Sequence, residues 1–222
     1  MLRKSKLTLI LFLLLLIVLF TISTYELQQL VNKGTVIADK QCLLINPLII
    51  ERKNSFIKSM QIMKADGSAE EYWNESKHYI EVTNKYVKAQ QQWLDEDREL
   101  MDRWEYKFFV PPKIKELSQL QYVSREADMK SSIAVVDMFN NRDKPEMLNR
   151  LASVVAEETK KVNDADAKFN KVRKIKGQFD PRARFIKVPA SKCPSANWNI
   201  PNVMDFILPP KPIQNGPLSH KQ

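Results

Sequence analysis

Apolar and polar positions follow different rhythms along this chain. Residues 7–22, LTLILFLLLLIVLFTI, form an unbroken apolar run without a charge, in which only Thr8 and Thr21 are polar. As a helix rising about 1.5 Å per residue, the run covers about 24 Å, against a bilayer core of about 30 Å. Ser23, Thr24 and Tyr25 extend it, and a tyrosine suits the membrane interface. Arg3, Lys4 and Lys6 precede the run, and no further Lys or Arg follows until Lys33. The positive-inside rule then puts the N-terminus in the cytoplasm and the rest outside. A cleaved secretory signal is the rival reading. The apolar core is longer than such signals carry, no A-x-A site follows it, and Thr21-Ile22-Ser23 is a poor cleavage site. A retained signal anchor is therefore predicted.

Beyond the run the period becomes helical. After Asn46-Pro47, the residues Ile49, Phe56, Met60 and Met63 fall on one helical face over 48–64, and Asp66-Gly67 is a stop-and-turn signal. Ser68 with Glu71 has the S-x-x-E pattern of a capping box. From there Trp73, Ile80, Val87, Leu94, Met101 and Phe108 recur every seven residues. Beside them run an aromatic column, Tyr72, Tyr79, Tyr86 and Trp93, and a mostly polar one, Ser76, Thr83, Gln90 and Asp97. No proline or glycine interrupts residues 68–110, which predicts one long helix ending at Pro111-Pro112.

A less regular helix is predicted over 113–139, with Ile114, Leu117, Leu120, Ala127, Ala134 and Met138 on one face. After the turn Asn140–Asp143 comes another, with Asp143 as candidate N-cap and Pro145 in its first turn. Leu148, Leu151, Val155, Val162, Ala165, Phe169 and Val172 form its seam, broken only by Glu158. The glycines Gly34, Gly67 and Gly177 sit where segments would end. Arg184–Val188 is a candidate short strand within a proline-rich stretch.

Composition narrows the class. Only four glycines in 222 residues argue against all-β folds and glycine-rich phosphate loops, and two histidines with two cysteines exclude a zinc-finger array. The net charge of +9 is local. Residues 171–222 carry ten Lys or Arg against Asp180 and Asp205, while 7–170 carry 22 against 24 acids. A basic tail returning to the bilayer would meet anionic headgroups, or would simply keep the chain soluble. Nucleic acid is not an expected partner, because this topology places the tail outside the cytoplasm.

The cysteines follow from helix parity. Four antiparallel passes return the chain to its starting end, so Cys42 and Cys193 meet near the membrane, in a compartment where disulfides persist. A Cys42–Cys193 disulfide is predicted.

Catalytic signals are sparse. Glu75-Ser-Lys-His78 has the E-x-x-H spacing used by di-iron bundles, but those need two such motifs, and the other histidine is His220. Glu75 and His78 are thus a weak metal candidate beside the simpler reading of an exposed polar face. Asp95-Glu96-Asp97 reads as an ion-paired helix face. No nucleophile motif is present, and neither an enzyme nor a cofactor is expected. The column Tyr72, Tyr79, Tyr86 and Trp93 has two readings, a packing stripe or an interaction groove for a partner helix, peptide or apolar ligand.

The predicted fold is all-α: a single N-terminal transmembrane helix, then an elongated, coiled-coil-like antiparallel bundle of about four helices, with a proline-rich basic tail. Its divisions are a cytoplasmic N-terminus at 1–6, a signal anchor at 7–25, a membrane-proximal connector at 26–47, an extracytoplasmic bundle at 48–177 and the tail at 178–222. The location expected is the plasma (inner) membrane, single-pass. The role expected is a non-enzymatic scaffold or assembly subunit of an envelope complex, in contact with the lipid bilayer and with other membrane or envelope proteins. The aromatic stripe also suits a homodimer. The alternative is an extracytoplasmic ligand-sensing bundle that signals through a partner membrane protein.

Overall fold

The structure, a computed structural model, describes residues 2–64, 68–174, 181–187, 189, 190 and 192. Among these the regular elements are all helical: α1 Leu2–Lys64, α2 Ala69–Asp102, α3 Trp104–Phe109, α4 Pro112–Asn140, α5 Pro145–Lys174 and a 3₁₀ turn at Pro181–Phe185. One helix, α1, is long and apolar enough to cross a membrane. Its side chains from Leu7 to Phe20 are exposed throughout, as a lipid-facing segment requires.

Helix α1 corrects the expected segmentation. Its 63 residues run through both Gly34 and Pro47, so the stretches expected as anchor, connector and post-Asn46-Pro47 segment are one rod about 95 Å long. Gly34 is not a cap. It lies inside the helix beside α2, where an added Cβ would stand 4.0 Å from Leu100. Pro47 removes one helical hydrogen bond, but Leu43, whose carbonyl it would have served, is on the water-exposed face. Water can serve that carbonyl while α2 holds the helix on both sides of the proline. The buried face of the upper half is also not the expected one. Ile45, Ser55 and Ser59 point inward, whereas Phe56 and Met60 are exposed.

The chain then folds back. Ser68 caps α2 through the expected box: the Glu71 N–H donates to Ser68 Oγ at 3.1 Å, and the Ser68 N–H donates to the Glu71 carboxylate at 3.3 Å. Helix α2 descends along α1, with Lys58 on Glu75, His78 on Glu51 and Lys40 on Glu96. The predicted long helix breaks at Arg103, whose φ of −62° and ψ of 142° are extended. The break turns Tyr106 and Val110 into a lower core with Leu27, Leu30, Val31, Ile114 and Ile186. A straight continuation would have carried them past it.

Helix α4 rises against α2 and α5 descends against α4. Being flanked on two sides, α4 buries two faces: Leu117, Ala127 and Ala134, but also Tyr122, Ser124, Met129 and Val136. That explains its irregular period. Helix α5 starts at Pro145 with Asp143 in the preceding turn rather than at the cap. Glu158 is not an outward-facing break in its seam; it is buried, with Lys161 at 2.8 Å. The candidate strand is corrected too: Arg184 and Phe185 belong to the 3₁₀ turn, and no strand occurs among the described residues.

Candidate functional site

The four predicted stripe residues separate into two environments. Tyr86 is fully buried and Trp93 nearly so, in the upper core with Ile45, Leu94, Tyr122 and Met129. Tyr72 and Tyr79 are half-buried. Tyr79 stacks obliquely on Phe56 at 5.9 Å, and Tyr72 meets Trp73 edge-on at 6.0 Å.

Tyr86 is the centre of a polar network inside the helix array. Its hydroxyl donates to the Asp128 carboxylate of α4. The Arg52 guanidinium of α1 lies 4.4 Å from its ring centroid, donates to Ser132 Oγ at 2.7 Å and stands 4.0 Å from Asp128. Burial and the Asp128 charge push the Tyr86 hydroxyl well above its ordinary value. Arg125 belongs to the same network, pulled down by burial and held up by Tyr86, Asp128 and Asp166. Asp166 of α5 accepts from Ser124 Oγ at 2.7 Å. One network thus joins α1, α2, α4 and α5.

The polar column of α2 is buried as well, not left on the surface. Thr83 and Gln90 are fully enclosed and Ser76 nearly so. Thr83 Oγ1 donates to the Tyr79 carbonyl at 2.7 Å, while both polar atoms of the Gln90 side chain lack a hydrogen-bond partner. Polar character by itself does not place these residues on the surface. The missing signal is that Ser76, Thr83 and Gln90 share their seven-residue spacing with the apolar columns.

Glu75 and His78 do not converge. The Glu75 carboxylate is buried and already taken by Lys58 at 2.7 Å and Ser55 Oγ at 2.6 Å, which hold it below the usual carboxylate range. His78 instead faces Glu51 at 3.4 Å. Among the described residues no group of three or more metal-ligating side chains occurs. Both residues line an open groove of about 720 Å³ beside Cys42, Leu43, Pro47 and Ile50. In the acidic run, Asp95 accepts from Gln91 at 2.9 Å and Glu96 pairs with Lys40, as an ion-paired face would. Asp97 departs from it: burial raises its carboxyl to about 6.

Cys193 lies outside the described residues, as does most of the basic tail. Cys42 is buried, accepts from the Asn46 amide at 3.3 Å, and no free thiol occurs among the described residues. The described part of the tail lies along α1. Arg182 donates to Ser23 Oγ at 2.6 Å, Lys187 exchanges two hydrogen bonds of 2.6 Å with the Gln28 amide, and the Lys192 N–H donates to Asp39 at 3.0 Å.

A surface that sequence reasoning missed lies on α1. Val36, Leu43, Ile50 and Ile57, seven residues apart, are 42–66 % exposed. The same series runs back through Gln29 to Ile22 and Leu15 in the apolar run. The contrast that would have revealed it is between this apolar series and the polar residues Gln41, Asn46, Ser55 and Ser59 that α1 turns inward. Compared with protein-family models, curated proteins and solved structures, the chain finds no match.

Proposed function

We propose that this chain is a single-pass, signal-anchored scaffold subunit of a plasma (inner) membrane complex, with its N-terminus cytoplasmic and its helical array outside. The observation that carries the reading is the continuity of α1. The helix that holds the apolar run also supplies one wall of the packed array, so the array cannot swing freely on its anchor. Such a rod suits holding a partner at a set height, not turning over a substrate.

The exposed series Val36, Leu43, Ile50 and Ile57 supports a partner of defined kind: a helix of another membrane protein rising from the same bilayer alongside α1. A Cys42–Cys193 disulfide would clasp the tail to α1. The Lys192–Asp39 bond, one residue from Cys193 and three from Cys42, supports it. Crosslinking in native membranes followed by mass spectrometry tests the assembly. Crosslinks from α1 to a different membrane protein are expected. Crosslinks solely between copies of this chain would replace the scaffold reading with a homodimer.

A further inference from the structure

We infer that α3 and the 3₁₀ turn form a second membrane contact, an interfacial platform that seats Trp104, Phe108 and Phe185 in the headgroup layer of the bilayer that α1 crosses. The inference rests on the anchor reading. Three large apolar side chains lie open here: Trp104 at 58 %, Phe185 at 62 % and Phe108 at 78 %, the last more exposed than any large apolar side chain of the run.

Their height is set by contacts to α1 at the end of that run. The Phe185 ring meets the Phe20 ring edge-on at 5.8 Å. One arm of Arg182 donates to Ser23 and the other to the Phe109 carbonyl at 2.9 Å, which brings the end of α3 to the level of Ser23. Trp104 packs on Phe109 at 5.7 Å and on Phe108 at 6.3 Å. A bilayer enclosing residues 7–22 therefore has its boundary at this cluster. Tyr25, 61 % exposed, lies at the same level. Aromatic rings concentrate at that depth because an amphipathic ring gains from both apolar chains and polar headgroups.

The break at Arg103 serves the same arrangement, since it bends α3 out of the line of α2 at the foot of the array. Charge adds little here: residues 102–116 carry Arg103, Lys107, Lys113 and Lys115 against Asp102, Glu105 and Glu116, with Lys107 on Asp102 and Arg103 on Glu105, so the open rings carry the contact. Water alone would leave this apolar cluster uncompensated, whereas continuity with the span supplies the lipid that covers it.

The test uses the full chain in vesicles of phosphatidylcholine with a minority of phosphatidylglycerol and a phospholipid carrying a diazirine near its glycerol. After photolysis, labelled residues are mapped by mass spectrometry. Label on 103–110 and 182–187 is expected several-fold above that on α5, beside label on the apolar run. Label on the run but not on the platform would overturn this inference and leave the anchor standing. Label on neither would overturn both. F108E, at an exposed position, is expected to cut platform labelling several-fold with helix content and labelling of the run unchanged; unchanged platform labelling in that variant would count against the platform.

Discussion

Arg52 stands over the ring of Tyr86, its guanidinium carbon 4.4 Å from the ring centroid, and the two side chains come from different helices of the array. The hydroxyl of that tyrosine binds Asp128 on a third helix. A cation over a ring whose far end donates to a carboxylate links three helices through one aromatic side chain. The tyrosine that the sequence offers either as packing stripe or as interaction surface is, in this fold, the buried joint.

The joint is open to a graded test. Tyr86→Phe removes one hydrogen bond and leaves Asp128 less satisfied, at an expected cost of about 1–2 kcal/mol. Tyr86→Ala adds a cavity and should cost about 3–5 kcal/mol, while Tyr72→Ala, at a half-buried site, should cost clearly less. Thermal unfolding in detergent measures all three. Equal, small losses at Tyr72 and Tyr86 would mean that the stripe is not divided between core and rim.

Asp97 should make the array less stable as pH rises. Its carboxyl holds a proton up to about 6 in the fold, against 3.8 when unfolded. Between those values the folded state binds more protons, so stability falls with increasing pH and the loss is complete above about 6. Asp97→Asn is expected to match the parent near pH 4 and to exceed it by about 2 kcal/mol at pH 7.5. A gap between the two proteins that does not widen with pH would refute the assignment.

Glu75 should behave in the opposite sense. Hydrogen bonds from Lys58 and Ser55 depress it, so its contribution is present above the ordinary carboxylate value and fades as acid protonates the folded form. Glu75→Gln is expected to cost about 1 kcal/mol at pH 7 and progressively less on acidification. Since Lys58 occupies this carboxylate, added zinc or iron should not raise the melting temperature of the parent. Metal-dependent stabilisation lost in Glu75→Gln and His78→Ala would reinstate the metal reading.

Orientation in the membrane can be read from Lys161, an exposed lysine far along the chain from the anchor. An impermeant amine reagent applied to sealed cells should label it, and the same reagent trapped on the cytoplasmic side should not. Labelling from the cytoplasm reverses the topology.

The clasp has a mass signature. Intact protein should gain 2 Da on reduction if Cys42 and Cys193 are bonded, about the mass of two hydrogens. Two alkylatable thiols in the native, non-reduced protein would remove the clasp.

Much of the helical layout is legible because it is local. A sixteen-residue apolar run, an S-x-x-E box and a seven-residue period are properties of neighbouring residues, and they place the apolar, span-length segment and the start of α2 with little help from the rest of the chain. The long-range contacts decided the remainder. Gly34 and Pro47 read as boundaries, yet α2 packed alongside keeps α1 whole through both. Arg103 carries no breaking signal, yet the lower core bends the chain there to bury Tyr106 and Val110. Period alone reports which residues share a face. Whether that face meets a helix, a lipid or water depends on what the fold sets against it, and so Gln90 is buried while Ile50, Trp104 and Phe108 are open.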